Sequence, residues 1–354
     1  MIDPAPLNQH PAPRLTQIES QQGLWNDAVL AHSAQLLQSW EWGELKSRWG
    51  WKVERVAVEA GGRQAFAQVL LRHRGPLSIG YLPRGPVLGD GDRDLADLLF
   101  TTIDRRCRQN RAISLIVEPD RPLPFIGTLR DAGFVQGFAH IQPSRTVKVP
   151  LLEDEALLNQ MHQKTRYNVR LAQRRGVVAQ RAVADHASFA TFYGLLADTA
   201  DRNAFGIHHA EYYADFMRAF GDRAILLFAL IDGVAVAGLM AARFGPEAIY
   251  MYGASSTKHR AHGAGFFLQF EAMRWARDAG CSRYDLWGIP AETPASTEVS
   301  TGNRVAGTHG DDWRGLYEFK VRFGGEILAY PAALERRYVP VLSALARRVY
   351  RPGG

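Results

Sequence analysis

The order of predicted elements constrains the fold of this 354-residue chain more than any other feature, because the same order occurs twice. Each half contains a predicted hairpin, a third strand, a helix and a closing strand. The hairpins turn at Gly61-Gly62 and at Asp232-Gly233, dipeptides that favour tight β-turns. The pattern predicts an α/β fold of mixed α+β character, in which two similar domains contain mixed, twisted sheets flanked by helices.

The individual elements follow from hydrophobic periodicity and from the positions of Gly and Pro. In the first half, strands are predicted at 53–58, 65–72, 77–82 and 112–117 and a helix at 94–110. In the second half, strands are predicted at 224–231, 234–243, 248–254 and 282–287 and a helix at 265–279. Between them, a strand is predicted at 140–149 and helices at 153–175, 188–200 and 210–220. Residues 1–20 are predicted to form a flexible leader.

Composition narrows the class of protein. The net charge of +6 is compatible with a polyanionic partner. Cys107 and Cys281 lack metal-binding or redox spacing, so we expect no metal, and a reducing cytosol fits. The Pro-rich amino terminus lacks the apolar run of a signal peptide, and no window reaches ~18 continuous apolar residues. We therefore expect a cytoplasmic protein with no transmembrane segment, which would reach a membrane-bound substrate by peripheral contact with the cytoplasmic face.

A basic helix is predicted between Lys164 and Gly176. Arg166, Arg170 and Arg174 recur every four residues and share one helix face. Because no acidic residue occurs between Glu155 and Asp185, this face favours contact with the phosphates of a polyanion. The alternative is a solvated face whose arginines pair with carboxylates elsewhere in the fold.

Two further motifs admit both a ligand-binding and a structural interpretation. Alternation along a strand places Tyr250 and Tyr252 on the same face, where they could contact a ligand or form part of the core. Arg260-Ala-His-Gly-Ala-Gly265 fits the R-x-x-G-x-G/A loop with which acetyl-CoA-dependent N-acyltransferases bind pyrophosphate. It also fits an ordinary Gly-rich helix start.

The segment Phe319-Lys320-Val-Arg-Phe-Gly-Gly325 combines cations with apolar neighbours. Lys320 and Arg322 alternate with apolar residues, which predicts a half-buried strand. Lys320 could bind a phosphate or stabilise an oxyanion, or it could be an edge-strand lysine that prevents aggregation. The preceding residues 290–312 are rich in Ser, Thr, Gly, Pro and Ala, which predicts either a lid over the substrate or a disordered loop.

These motifs belong to an ordered series that extends from about Gln38 to Tyr330. The series comprises Gln38-Ser-Trp-Glu-Trp-Gly-Glu-Leu-Lys46 with Trp49-Gly-Trp51, Tyr81-Leu-Pro-Arg-Gly-Pro86, Thr165-Arg-Tyr-Asn-Val-Arg170 through Gly176, Tyr252-Gly-Ala-Ser-Ser256, Tyr284-Asp-Leu-Trp-Gly288, and Phe319-Lys320 with Phe323-Gly-Gly325. The series resembles that of the FemABX family of peptidoglycan bridge-forming aminoacyltransferases. Each motif is short, and their common order makes the resemblance specific.

The resemblance implies two N-acyltransferase (GNAT)-like domains. Domain one would comprise residues 1–150 plus 331–354, and domain two residues 151–330. The chain contains no heptad run long enough for the coiled-coil arm of some family members.

The resemblance also implies a set of precursor-binding residues, which by motif are Lys46, Arg202, Tyr252 and Lys320. To these we add Tyr81 and Arg84 from the Pro-Arg-Gly-Pro turn. The basic residues Lys164, Arg166, Arg170 and Arg174 would contact the phosphates of tRNA.

The implied reaction transfers an amino acid from an aminoacyl-tRNA to the stem-peptide amine of UDP-MurNAc-pentapeptide or lipid II. Lys320 would stabilise the developing oxyanion or hold a precursor phosphate. Asp285 is a candidate base, and deprotonation assisted by the substrate is the alternative. Because the ester is already activated, no cofactor is expected, and alignment of the reactants can supply much of the rate.

Two other functions are compatible with the sequence. One is a CoA-dependent N-acyltransferase that uses the loop from Arg260 to Gly265. The other is a non-catalytic module that binds nucleic acid or precursor on the same fold. Motifs for a serine nucleophile or a zinc site, G-x-S-x-G and H-E-x-x-H, do not occur.

Overall fold

The structure, a computed structural model, describes residues 15–89, 93–137, 141–203, 206–256, 262–291 and 311–349. Its strands are, in chain order, β1 (Trp51–Ala60), β2 (Arg63–Arg74), β3 (Leu77–Pro83), β4 (Ala112–Glu118), β5 (Phe134–Gln136), β6 (Arg145–Pro150), β7 (Val178–Arg181), β8 (Ala224–Ile231), β9 (Val234–Phe244), β10 (Glu247–Ser255), β11 (Arg283–Ile289), β12 (Glu326–Ala329) and β13 (Leu334–Arg337).

These strands form two mixed sheets, as predicted. The first sheet has the order β1-β2-β3-β4-β13-β5, and the second has the order β12-β6-β11-β10-β9-β8-β7. The parallel pairs are β3 with β4 and β10 with β11. Near the end of the chain, β13 lies in the first sheet, whereas β6, just before the domain boundary predicted at residue 150, pairs with β11 and β12 of the second. The domain boundaries themselves stay a prediction.

Helices flank both sheets. They are α1 (Leu15–Ser20), α2 (Gln22–Ala31), α3 (Trp40–Arg48), α4 (Arg93–Gln109), α5 (Ile126–Asp131), α6 (Asp154–Gln160), α7 (Gln163–Arg174), α8 (His186–Asn203), α9 (Ala210–Phe220), α10 (Ala264–Asp278), α11 (Asp311–Val321) and α12 (Pro340–Val349). In the described part of the chain, no helix has the length and hydropathy needed to cross a membrane.

Three buried clusters of side chains hold the layers together. One lies beneath α4 on the first sheet, and another lies beneath α7 and α10 on the second. The third is shared by the two halves, since it joins Trp25 and Trp42 of the first half to Tyr212 and Phe216 of the second. This shared, aromatic-rich core fixes how the two sheets face each other.

Three predictions of local structure are wrong. The flexible leader predicted at residues 1–20 is helical from Leu15 to Ser20, because Ile18 is buried in the core. Residues 1–14 lie outside the described residues.

The helix predicted at 153–175 is interrupted at Met161 and His162, because the His162 amide donates to the Arg322 carbonyl at 2.9 Å and the His162 side chain caps α7. The half-buried strand predicted at Lys320 is instead the last turn of α11. Phe319 and Phe323 lie four residues apart and both pack on Phe266, so the apolar spacing serves a helical turn.

Candidate functional site

The two parallel strands β10 and β11 separate in the middle of the second sheet. Their registered pairing covers Glu247–Ile249 and Arg283–Asp285, although β10 runs on to Ser255. A bulge follows Tyr250 in β10, and the register of β11 with β6 shifts beyond Asp285. Bulges re-aim side chains and end pairing, and in open α/β sheets such openings accommodate ligands.

Lys320 lies beside this opening. Its ammonium donates to the Gly288 carbonyl of β11 at 2.8 Å and lies 5.6 Å from the centre of the Tyr250 ring. The residue is only 5% exposed. Burial lowers the pKa of Lys320 to about 7, and the negative charge of Asp285 opposes part of this shift. The site therefore holds a lysine that changes charge near neutral pH.

Asp285 is fully buried beneath the same opening. Its Oδ1 atom accepts hydrogen bonds from the Thr146 hydroxyl and, at 2.7 Å, from the Trp287 amide. Trp287 has φ of 61°, a conformation that costs energy for a residue other than glycine. Oδ2 has no hydrogen-bond partner among the described residues and lies 3.8 Å from the Lys148 ammonium. Asp285 thus stabilises the strained turn that presents the Gly288 carbonyl to Lys320.

A second cluster lies where α3 meets α9, between the two sheets. The Lys46 ammonium donates to the Tyr212 hydroxyl at 2.8 Å, and the Tyr252 hydroxyl donates to the same oxygen at 3.4 Å. Lys46 also lies 4.5 Å from the centre of the Trp42 ring. Burial lowers the pKa of Lys46 to about 8, with a contribution from the charge of Arg72.

Tyr212 is the residue that sequence analysis missed in this cluster. Its ring stacks on His208 with centroids 3.9 Å apart, and burial lowers the pKa of His208 to about 4. The described residues contain no group of three or more potential metal ligands, so the His208 ring has a packing role beside Tyr212. The adjacent aromatic pair Tyr212-Tyr213 was the available signal for a binding surface.

The predicted common face of Tyr250 and Tyr252 is wrong. Tyr250 pairs with Ala241 and Tyr252 with the adjacent Met240, so the bulge inserts one residue between them. Because side chains alternate along a strand, this extra residue turns Tyr252 to the opposite side of the sheet. Tyr250 therefore faces Lys320, whereas Tyr252 packs against Tyr213 with ring centroids 5.0 Å apart.

The predicted site residues of the Pro-Arg-Gly-Pro turn are buried. The Tyr81 hydroxyl donates to Glu118 at 2.5 Å. The Arg84 guanidinium donates to the Pro143 carbonyl at 2.7 Å and stacks on Tyr330. Both side chains therefore bind other parts of the protein. Arg202 lies in the last turn of α8, and its side chain is outside the described part of the structure.

The basic face of α7 is exposed along most of its length. Arg166 donates to the Asn159 carbonyl at 3.3 Å, and Arg174 lies 5.8 Å from the centre of the Tyr167 ring. Arg170 has Glu155 at 4.0 Å, and that glutamate is 81% exposed. Such solvated contacts leave the guanidinium groups available to phosphates. Lys164, at the start of α7, lines a surface hollow together with Phe266, Phe319 and Arg322.

The Gly-rich loop before α10 packs against α7. A side chain at Gly263 would place its Cβ 2.5 Å from the Asn168 carbonyl oxygen, so α7 covers this end of α10. Arg260, the first residue of the motif, and residues 292–310 of the predicted lid or disordered loop lie outside the described residues.

Comparison with known proteins tests the predicted resemblance. The model of the FemAB family matches residues 28–124, 128–234 and 231–351. The lipid II:glycine glycyltransferase of Staphylococcus aureus is 23% identical, and the match covers 74% of this chain and 82% of that protein.

Solved structures show the same fold. The crystal structure of FemX superposes with a TM-score of 0.76 at 21% identity and covers 91% of this chain and 97% of its own. A tandem GNAT protein from the clavulanic acid biosynthesis pathway has a TM-score of 0.53 at 13% identity and covers 90% of this chain and 95% of its own. The predicted GNAT-like fold and the predicted resemblance are confirmed. The chain belongs to the FemAB family.

Proposed function

We propose that this protein is an aminoacyltransferase that moves an amino acid from an aminoacyl-tRNA to the stem-peptide amine of a peptidoglycan precursor. Membership of the FemAB family and the similarity to a glycyltransferase named for lipid II support this proposal. The observation that carries it is the Lys320 ammonium, buried at the opening between β10 and β11. The acceptor is UDP-MurNAc-pentapeptide or lipid II, reached from the cytoplasm by peripheral contact where it is membrane-bound.

The proposed chemistry forms one bond between heavy atoms, breaks one and transfers one proton. The nitrogen of the precursor amine forms a bond to the ester carbonyl carbon, and the bond from that carbon to the ribose oxygen breaks. The amine proton passes to the departing ribose oxygen, so the products are an amide and free tRNA. One of the three N–H groups of the Lys320 ammonium donates to the Gly288 carbonyl. The other two stabilise the negative charge that develops on the carbonyl oxygen of the ester.

Asp285 has a positioning role in this proposal and is not the base. Its carboxylate is sealed from solvent, and its Oδ1 atom is already bonded to Thr146 and Trp287. Its Oδ2 atom has no hydrogen-bond partner among the described residues, but that atom is buried as well and is not exposed to an incoming amine. Proton transfer assisted by the substrate is therefore the mechanism that this geometry favours.

The cluster around Tyr212 is the proposed contact with the precursor. Lys46 and Tyr252 approach Tyr212 from different elements, so three polar groups meet within the aromatic core that the two halves share. A lysine in that position suits the phosphates of a nucleotide or lipid-linked precursor. Arg202 is kept as a further precursor-binding candidate from the family resemblance.

The basic face of α7 is the proposed contact with tRNA. Its cations are spaced along one helix and lack close buried carboxylates within the described chain. Such a surface attracts the phosphate backbone without reading its sequence.

Mass spectrometry of the stem peptide tests the proposal. The protein is incubated with a mixed aminoacyl-tRNA pool and, separately, with each acceptor. A mass increase equal to one or more amino acids is expected. Lys320→Met should slow its appearance by a factor of about 10² to 10³, whereas Lys52→Met, a change at an exposed lysine of β1, should not slow it. Transfer of an acetyl group from acetyl-CoA would contradict the proposal. Binding of both substrates without any mass change would instead favour a non-catalytic module.

A further inference from the structure

The chain crosses between the two sheets twice, and both crossings meet at one arginine. The outgoing connection, residues 141–144, leads into β6, and the return connection, residues 330–333, leads into β13. They run side by side, since the Tyr330 amide donates to the Ser144 carbonyl at 2.8 Å. Arg84 lies against both connections, because it donates to the Pro143 carbonyl at 2.7 Å and its Cζ atom lies 3.4 Å from the centre of the Tyr330 ring.

Arg84 is held in this place at an energetic cost. It is only 1% exposed, and its φ of 50° is unfavourable for a residue with a side chain. Its Nε atom is buried without a hydrogen-bond partner, and among the described residues Arg84 forms no ion pair with a carboxylate. Burying a charge without a counter-charge is expensive, so the stacking on Tyr330 and the bond to Pro143 must serve the fold or the site.

The outgoing connection touches the Lys320 site directly. A side chain at Gly288 would place its Cβ 2.3 Å from the Pro143 Cγ atom, so the proline ring packs against that glycine. The carbonyl of the same glycine accepts the hydrogen bond from Lys320. One chain of contacts therefore runs from Arg84 through Pro143 and Gly288 to Lys320.

We infer that Arg84 is a positioning residue, which clamps the two connections between the sheets so that Pro143 holds the Gly288 carbonyl beneath the Lys320 ammonium. Only the effect on turnover rests on the proposed function. The geometry predicts that the state of Lys320 depends on Arg84 and Tyr330 whatever reaction the protein catalyses.

A second restraint keeps the connection attached when the clamp is lost. The Glu118 carboxylate accepts hydrogen bonds from the Ile141 and Gln142 amides and from the Tyr81 hydroxyl. Removal of the clamp should therefore loosen Pro143 locally while the rest of the connection stays in place.

Lysine NMR provides a test that needs no substrate. The chain has six lysines, so a protein labelled with 13C at lysine Cε gives few signals, and Lys320→Arg identifies the one from Lys320. The pH titration of that signal is then compared between wild type, Arg84→Met and Tyr330→Leu. The charged groups that face Lys320 from the neighbouring strands, Asp285 and the Lys148–Glu247 pair, are the same in all three proteins.

Both variants should raise the pKa of Lys320 from about 7 toward its ordinary value, because a loosened Gly288 carbonyl admits water to the ammonium. Tyr330→Leu keeps the Arg84 charge, so a rise in that variant cannot be a direct effect of losing that charge. Tyr330→Phe, which keeps the ring, should titrate like wild type. Turnover in the first two variants should fall about tenfold through kcat, with KM unchanged.

Arg336→Met is the matched control. Arg336 also stacks on a ring, with its Cζ atom 5.7 Å from the centre of Phe134, but it lies in β13 and pairs with Asp104. This variant should leave the Lys320 titration unchanged. The inference is overturned if folded Tyr330→Leu titrates Lys320 as wild type does, or if Arg336→Met shifts the titration equally. If only the proposed function is wrong, the wild type will show no turnover, and the NMR results will still be as expected.

Discussion

The Lys320 ammonium donates to the Gly288 carbonyl at 2.8 Å, across the opening where β10 and β11 separate. This single bond joins the last turn of α11 to a strained turn of β11, in which Trp287 has φ of 61°. It keeps a desolvated cation at the place where the two strands leave room for a ligand.

Replacement of Lys320 by Met should reduce turnover by a factor of about 10² to 10³, because a donor to the developing oxyanion is lost. The same change should stabilise the fold by an amount on the order of 2 kcal/mol near neutral pH, since it removes a buried charge. Rate measurements and urea unfolding of the same preparation test both effects.

The stabilisation by Lys320→Met should depend on pH in a defined direction. The folded-state pKa of Lys320 is lowered to about 7, so the unfolded chain binds more protons between that pH and the ordinary lysine value of about 10.4. Wild-type stability should therefore rise with pH across this window, and the advantage of the variant should be greatest below about pH 7. An advantage that is constant with pH would contradict a charged, buried Lys320.

Asp285→Asn and Asp285→Ala should differ sharply. Asparagine keeps an oxygen that can accept from the Trp287 amide, so turnover should fall less than about tenfold. Alanine leaves that amide without its acceptor, which should cost about 1–3 kcal/mol of stability and most of the activity. Equal, complete loss of turnover in two equally stable variants would identify the carboxylate as the base instead.

Tyr212→Phe should weaken binding of the precursor. The change removes the hydroxyl that accepts from Lys46 and keeps the ring that stacks on His208. We expect KM for the precursor to rise about tenfold with kcat within a factor of about two. Tyr338→Phe, which removes a partly buried hydroxyl that donates to Asp104 of α4, is the control and should leave KM unchanged. Because the pKa of Lys46 is lowered to about 8, precursor affinity should also decline above that pH.

The double change of Arg170 and Arg174 to Gln should weaken binding of tRNA and reduce its salt dependence. The slope of log K against log salt concentration is negative, and each lost phosphate contact reduces its magnitude by about 0.7–0.9. Fluorescence titration at several salt concentrations measures the slope. Arg74→Gln, at an exposed position at the end of β2, is the control. An unchanged slope in the double variant would show that tRNA binds elsewhere.

Much of the architecture was predictable because its signals are local. All four residues of Gly61-Gly62 and Asp232-Gly233 have positive φ, and each dipeptide joins the two strands predicted around it. The helices α4, α9 and α10 follow from apolar spacing along a few consecutive turns. Each of these signals acts within about a dozen residues and needs no distant partner.

The candidate site was only partly predictable, because it depends on contacts between distant segments. Lys320 was identified from its motif, but it lies in a helix and not in the predicted strand, since Phe319 and Phe323 pack on Phe266. The bulge after Tyr250 separates two tyrosines that alternation would place together. Tyr212 joins Lys46 and Tyr252 only because α3 and α9 meet.

The sequence by itself determined the two hairpins, the mixed sheets and the family, since turn residues, hydrophobic periodicity and short motifs depend on residues that are close together in the chain. The tertiary structure alone decided what Lys320 and Arg84 contact. Lys320 bonds to a carbonyl 32 residues away, and Arg84 to one 59 residues away. Such pairs form when packing of the cores brings the segments together, and the desolvation that lowers the pKa of Lys320 arises from the same packing.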